Sequence, residues 1–239
     1  VDPLPAAPAE SNQIQPAPPL PSEDMAPERR ADILMARKMY REAVEVYQQA
    51  IQSQAVILNK IGIAYHQMMQ LDTAKKYYES ALKINPRYSE ALNNIGTVYY
   101  AQKNFGKATG QYKKALKVAP KSASIYSNLG TAYFAQKKYK DATEAYQQAL
   151  ALDPEIFEHR STYGTMLQER SVEERAKFHY YLAKTYAKAG MNDRALQYLR
   201  KALEEGFKDK EKLAEDPEFN ALRETPEFKE LLALEPRVL

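Results

Sequence analysis

The sequence contains no cysteine and no tryptophan, and only 8 of its 239 residues are glycine. Without cysteine the chain has no thiol nucleophile, no disulfide bond and no thiolate ligand for zinc. No run of eighteen apolar residues occurs, so the sequence predicts no membrane-spanning helix. What remains is a composition of 44% hydrophobic and 27% charged residues, a balance typical of helical proteins.

Recognisable catalytic patterns are also missing. The three histidines, His66, His159 and His179, are not spaced three or four residues apart as metal ligands on a helix would be. The glycines are dispersed, so no phosphate-binding loop is indicated. His159, Arg160 and Tyr163 lie close together but match no known constellation. We therefore expect no catalytic residue, no metal and no cofactor, and we expect that the protein is not an enzyme.

The strongest positive signal is an internal repeat of 34 residues, which aligns Ala74 with Ala108 and Ala142. A tyrosine four residues after each alanine, a later alanine and a proline recur in the same register. Within each unit the apolar and small residues are three and four positions apart, a spacing that places them on one face of a helix. The sequence therefore predicts repeated pairs of helices.

These units resemble the tetratricopeptide repeat, since LNKIGIAY, LNNIGTVY and YSNLGTAY stand where that family has its W-x₂-L-G-x₂-Y element. The resemblance implies an all-α fold, a right-handed α-solenoid of helix-turn-helix repeats. It also implies close approach of the paired helices at Gly62, Gly96 and Gly130.

The predicted organisation has three parts. Residues 1–23 are rich in proline and alanine and are expected to be disordered. Five repeats are expected at 24–54, 55–88, 89–122, 123–156 and 176–206, with an insert at 157–175 that ends in a capping box at Ser171. Short capping helices are expected over 207–239, with Asp216 and Thr225 as their N-caps. Apolar residues of this last part, such as Phe219 and Phe228, are expected to cover the open end of the solenoid.

The resemblance implies that the first helices line a concave groove that binds an extended peptide or a partner helix. The side chains expected in that groove are Asn59, His66, Asn93, Asn94, Thr97, Tyr100, Ser127, Asn128, Thr131, Phe134, Tyr180 and Lys184.

Two branches of the family offer different expectations for this groove. The lysine and arginine clamp with which chaperone-binding members hold a C-terminal carboxylate is not reproduced here. Asn94 and Asn128 instead match the asparagine ladder of the superhelical repeats attached to protein O-glycosyltransferases. They either bind the backbone of a ligand or tie the first helices to neighbouring loops, and the sequence leaves both roles open.

Other functions fit the sequence less well. Residues 55–156 carry 14 basic and 7 acidic side chains, which could attract nucleic acid to a lysine-rich convex face, but no recognition module is present. A non-catalytic subunit of an enzyme complex is a further alternative. The first residue is Val1 and not a methionine, which favours an exported protein, and the sequence does not indicate the oligomeric state.

Overall fold

The computed structural model describes residues 21–22, 25–49, 55–158 and 171–233. Almost all of the predicted tail at 1–23 lies outside these residues, as does most of the predicted insert at 157–175. His159, Arg160 and Tyr163 also lie outside them. The described residues form helices joined by short turns, with no strand among them.

Five helix pairs follow one another along the chain. Their helices are α1 (Pro27–Ala36) and α2 (Tyr40–Gln49), α3 (Ala55–Gln67) and α4 (Leu71–Ile84), α5 (Ser89–Ala101) and α6 (Phe105–Val118), α7 (Ala123–Ala135) and α8 (Tyr139–Leu152), and α9 (Val172–Lys188) and α10 (Asn192–Glu204). Three short elements complete the described chain, namely α11 (Lys210–Glu215), a 3-10 turn (Pro217–Phe219) and α12 (Pro226–Ala233).

The helices of each pair are closed by the same tight turn. The second residue after the first helix has a left-handed backbone, with φ of 58° at Lys103, 61° at Lys137 and 74° at Gly190. This conformation brings the next N–H group back to the helix end, as when Asn104 donates to the carbonyl of Tyr99 at 2.8 Å. The two helices therefore run antiparallel and side by side.

The small residues expected at the helix crossings lie where the sequence predicted them. Gly62, Gly96 and Gly130 lie under the rings of Tyr78, Tyr112 and Tyr146, each from the second helix of the same repeat. These three rings are almost fully buried. The interlock of a glycine and a tyrosine thus sets the distance between the paired helices.

The pairs are stacked in line, because each second helix packs on the first helix of the next pair. The first helices α3, α5 and α7 also contact one another directly. Since first helices come closer together than second helices do, they form the inner side of the curved stack. The all-α solenoid of helix-turn-helix repeats is confirmed, and so are the terminal elements that cap it.

The cap confirms one of the two predicted N-caps and corrects the other. The Thr225 hydroxyl accepts from the N–H group of Phe228 at 3.3 Å, as an N-cap does. Asp216 was expected to cap a helix in the same way, but its side chain makes no capping bond. Its carboxylate is buried against α9, where it meets Tyr180 and Lys184.

Candidate functional site

A chain of asparagine side chains runs along the inner face, across three successive first helices. Nδ2 of Asn128 donates to Oδ1 of Asn93 at 2.9 Å, and Nδ2 of Asn93 lies 3.4 Å from Oδ1 of Asn94. Nδ2 of Asn94 then donates to Oδ1 of Asn59 at 3.0 Å. The four carboxamides, here called the amide ladder, therefore join α3, α5 and α7.

Three members of the amide ladder remain open to solvent in part. Asn59 is buried, with 4% of its surface exposed, whereas Asn93, Asn94 and Asn128 are half-buried. A carboxamide has two N–H groups and an oxygen that accepts two bonds. The ladder uses one N–H group of Asn94 and one of Asn128, so each side chain keeps further hydrogen-bonding capacity toward the groove.

The two threonines predicted to face the groove have a structural role that the repeat spacing did not indicate. The hydroxyl of Tyr112 donates to Oγ1 of Thr97 at 3.3 Å, and that of Tyr146 donates to Oγ1 of Thr131 at 3.2 Å. Thr131 has 1% of its surface exposed and also donates to the carbonyl of Ser127. These threonines satisfy the phenol groups of the interlocked tyrosines, because a buried hydroxyl needs a partner.

Ser127, Phe134 and Tyr180, also predicted for the groove, are buried and offer it little surface. The ring of Phe134 packs at 5.5 Å from that of Phe178, which comes from the next first helix. Tyr180 stacks on Phe207 at 4.4 Å, so the C-terminal segment covers it. Phe134 and Tyr180 thus form contacts with the following units, and packing explains their aromatic type.

Lys184 forms part of a polar cluster under the cap. Its Nζ lies 2.9 Å from Oδ2 of Asp216 and 3.5 Å from Oε2 of Glu218. Burial alone would raise the pKa of Asp216, but hydrogen bonds from Glu218, Tyr180 and Lys184 together hold that pKa below its usual range. The hydrogen bond to Asp216, followed by burial, raises the pKa of Glu218. Lys184 is therefore engaged by both carboxyl groups and holds the cap.

His66 and Tyr100 are the other predicted groove residues, and both are half-buried. Burial lowers the pKa of His66, so its imidazole is held in the neutral form. The ring of Tyr100 lies 5.2 Å from that of Phe105, at the start of the following helix. The two side chains occupy equivalent places in successive repeats, near the ends of α3 and α5.

A cleft of about 540 Å³ opens beside Tyr100, and the repeat pattern did not point to it. It lies where the α5–α6 turn, the α7–α8 turn and the first two turns of α9 meet. Its lining includes aromatic side chains and the lysines at 103, 137 and 177. Its position depends on how the fifth pair is set against the fourth.

Two classes of site are not seen in the part of the chain that the structure describes. No cluster of histidine, aspartate and glutamate there could hold a metal ion. No helix in the same ranges is long and apolar enough to cross a membrane.

Helix pairs stacked in line define an α-solenoid repeat protein. The sequence pattern of the tetratricopeptide repeat matches residues 53–121 and 88–155, and a second pattern of the same repeat matches residues 179–205. The chain therefore belongs to the tetratricopeptide repeat family, as its sequence had suggested. Repeats of this family typically form non-catalytic scaffolds for protein interaction, and this chain has that architecture.

Solved structures with a similar fold are those of other tetratricopeptide proteins. A thermophilic protein of this family from Thermus thermophilus, TTC0263, is 20% identical, with a TM-score of 0.52 over 87% of this chain and 98% of that one. MamA from Desulfovibrio magneticus RS-1 is 21% identical, with a TM-score of 0.52 over 74% and 92% of the two chains. Another MamA crystal structure is 18% identical, with a TM-score of 0.51 over 73% and 93%. No curated protein sequence matches the chain.

Proposed function

We propose that the protein is an interaction scaffold that holds an extended segment of a partner protein along the inner face of α3, α5 and α7. The observation that carries the proposal is the amide ladder, which joins the three helices and leaves half-buried carboxamides on α5 and α7. Carboxamides both donate and accept, so they can pair with a peptide backbone without selecting its side chains.

The ladder suits this role because it is held in place before a ligand arrives. Its hydrogen bonds between helices fix the rotamers of Asn93, Asn94 and Asn128, so little side-chain entropy is lost on binding. Tyr100 adds a half-exposed aromatic ring next to the polar track. Both proposed roles of the asparagines therefore coexist, since the same side chains join the repeats and face the ligand.

The proposed function is binding without catalysis. The buried ionisable side chains of the described residues, such as Asp216 under the cap, are engaged in contacts between helices. Their altered pKa values have a structural cause and do not mark an open active site.

The test is capture of partner proteins from an extract of the source organism on the immobilised full chain. The groove variant is Asn94→Ala with Asn128→Ala. The matched control is Lys114→Ala with Lys117→Ala, on the exposed face of α6. Both variants are first compared with the wild type by circular dichroism and urea unfolding, so that loss of fold is recognised.

We expect proteins that the wild type and the α6 control retain and the folded groove variant loses. If the folded groove variant retains all of them while the α6 control loses them, the inner face is not the binding surface.

A further inference from the structure

The cleft beside Tyr100 combines aromatic walls with positive charge. The rings of Tyr100 and Phe105 are 5.2 Å apart on one side, and those of Phe134 and Tyr139 are 5.3 Å apart on the other. A volume of about 540 Å³ is within the range of pockets that hold a large side chain together with part of its backbone. The walls favour an aromatic or large aliphatic side chain.

Three lysines stand at the rim of this cleft. Lys103 and Lys137 are exposed at the two helix turns, and Nζ of Lys177 lies 4.4 Å from the centre of the Tyr139 ring. None of the three forms an ion pair with a carboxylate among the described residues.

The acidic residues of the cleft are offset locally. Glu173 and Glu174 lie in the first turn of α9, where the positive end of the helix dipole stabilises negative charge. Glu174 also closes the capping box with Ser171, which confirms the cap predicted at that residue. The ends of α5 and α7 stabilise Lys103 and Lys137 in the same way, but none of the three lysines has a carboxylate partner among the described residues, so the rim can bind the carboxylates of a ligand.

Two of these lysines occupy the turn position that every pair shares, since Lys38 and Met69 have the same backbone conformation in the first two pairs. Lys103 and Lys137 have φ of 58° and 61°, a left-handed conformation that disfavours every residue with a Cβ atom. The fifth pair has Gly190 at the equivalent turn. A glycine would relax the strain, but it would take an amine from the rim of the cleft.

The chain itself contains an example of the chemistry that such a surface holds. The segment Asp216–Phe219 lies on α9 with its phenylalanine fully buried and its aspartate on Lys184. In this segment, a lysine of the stack binds the acidic residue, and aromatic rings pack around the phenylalanine three positions later.

We propose that the cleft binds an acidic peptide segment of a protein partner, with one aromatic or large aliphatic side chain between the rings and its carboxylates on Lys103, Lys137 and Lys177. This proposal rests on the scaffold function proposed above, and it names the chemistry of the partner. Tyr100, which lines the cleft, lies about two helical turns after Asn93 on α5, so an extended segment bound on the ladder can reach the cleft.

The test uses a fluorescent peptide with both ends blocked, EDDFEED, and measures its anisotropy with the full chain. Two further peptides separate the contributions of charge and ring, namely QNNFQQN and EDDAEED. We expect each of them to bind the wild type about tenfold more weakly than EDDFEED does, because each lacks one of the two anchors.

The variant Lys103→Gly with Lys137→Gly removes two rim amines and relaxes two strained turns. We expect it to bind EDDFEED about tenfold more weakly than the wild type does, although its unfolding midpoint is no lower. The matched control is Lys38→Gly with Lys83→Gln. It removes the same charge and relaxes the equivalent turn of the first pair, where φ is 61°. We expect this control to bind as the wild type does.

Three outcomes would overturn the cleft proposal. They are equal binding of EDDFEED and QNNFQQN, equal loss of affinity in the cleft variant and its control, and displacement of the peptide by a single-stranded oligonucleotide at equal concentration. In each case the ladder variant with Asn94→Ala and Asn128→Ala still tests the scaffold function separately, because it leaves the cleft lysines in place.

Discussion

At the scale of single residues, the contact between a glycine and a tyrosine determines how closely each helix pair packs. A Cβ atom added at Gly96 would lie 2.5 Å from Cε1 of Tyr112, closer than such atoms approach in folded proteins. The fifth pair has Ala183 in place of the glycine and Leu199 in place of the tyrosine. The larger residue at the first position is thus accompanied by a smaller side chain at the second. The first pair combines Ala31 with Tyr47, which shows that a modest readjustment of the helices is possible.

We predict that Gly96→Ala destabilises the protein by about 2 kcal/mol, since overpacking a buried contact outweighs the gain of about 1 kcal/mol in helix propensity. The matched control is Gly110→Ala, an exposed position in the middle of α6 with open space around it. This control should stabilise the protein by about 1 kcal/mol. Urea unfolding of the two variants measures both effects.

A second substitution tests whether the ring of Tyr112 causes this loss of stability. Gly96→Ala combined with Tyr112→Leu reproduces the residue pair of the fifth repeat. If the ring is the obstacle, the unfavourable effect of the alanine should shrink when leucine is present, which a double-mutant cycle measures. Strict additivity of the two substitutions would show that the ring is not responsible.

Two members of the amide ladder should contribute unequally to the stability of the protein. Asn94→Ala leaves the buried oxygen of Asn59 without this donor, whereas Asn128→Ala affects Asn93, which water can reach. We expect Asn94→Ala to lower the free energy of unfolding by about 2 kcal/mol and Asn128→Ala by about 1 kcal/mol or less, because burial decides the cost of a lost partner. Chemical unfolding of the single variants gives the comparison, and equal losses would contradict it.

At the scale of elements, the cap is held on α9 by a polar cluster whose proton content depends on pH. The lowered pKa of Asp216 gives a stabilising contribution that is present above its unfolded value of about 3.9 and is lost as the pH falls through the folded value. The raised pKa of Glu218 gives a contribution that is present below about 4.3 and is lost as the pH rises through the folded value. Docking of the cap should therefore be strongest in mild acid and weaken toward neutral pH.

Replacing Glu218 by glutamine tests this dependence. An amide donates a hydrogen bond to Asp216 at every pH. Glu218→Gln should therefore raise the protection of the amides of residues 213–231 against hydrogen exchange at pH 7, and this protection, corrected for the intrinsic exchange rate, should vary less between pH 5 and pH 8 than in the wild type. Glu227→Gln, at an exposed place in the first turn of α12, is the control and should leave the pH profile of the wild type unchanged. The same profile in both variants would mean that the carboxyl pair does not govern the cap.

At the scale of the whole molecule, the sequence predicted the stack well and its inner surface less well. A 34-residue period requires only local patterns, so the helix pairs and the interlocked glycines could be read from spacing alone. The contacts between units depend on how neighbouring helices are set against each other. Thr131 and Phe134 were therefore assigned to the groove although packing buries them. Asp216 looked like a helix cap because its neighbours in sequence fit that pattern, while its actual partners lie more than thirty residues away on α9.

The position of the fifth pair relative to the fourth could not be predicted from the sequence either. α9 has 17 residues where α5 and α7 have 13, and its first turn extends toward the α7–α8 turn. The cleft exists because of that extension. No pattern within a single repeat contains the information that places Lys177 near Lys137.

The open end of the stack gives the prediction that concerns the molecule as a whole. Each pair buries one side on the pair before it and the other on the pair after it, and the last pair has the cap in place of a successor. Phe219, Leu222, Phe228 and Leu231 are all at most 1% exposed, in one cluster with Leu199 and Leu203 of α10. A chain that ends at Gly206 would expose that surface of α10 to water.

We expect the chain that ends at Gly206 to self-associate through this surface and to lose roughly 6–12 °C in Tm, since removal of about 3 kcal/mol of apolar burial lowers Tm by about 2–4 °C per kcal/mol in a chain of this size. Light scattering coupled to size-exclusion chromatography measures the association, and calorimetry measures Tm. The control is a chain that ends at Ala233, which keeps all of α12 and should behave as the full chain does. A shortened chain that stays monomeric with the Tm of its control would show that the terminal elements do not seal the solenoid, because an uncovered apolar end cannot be neutral for both properties.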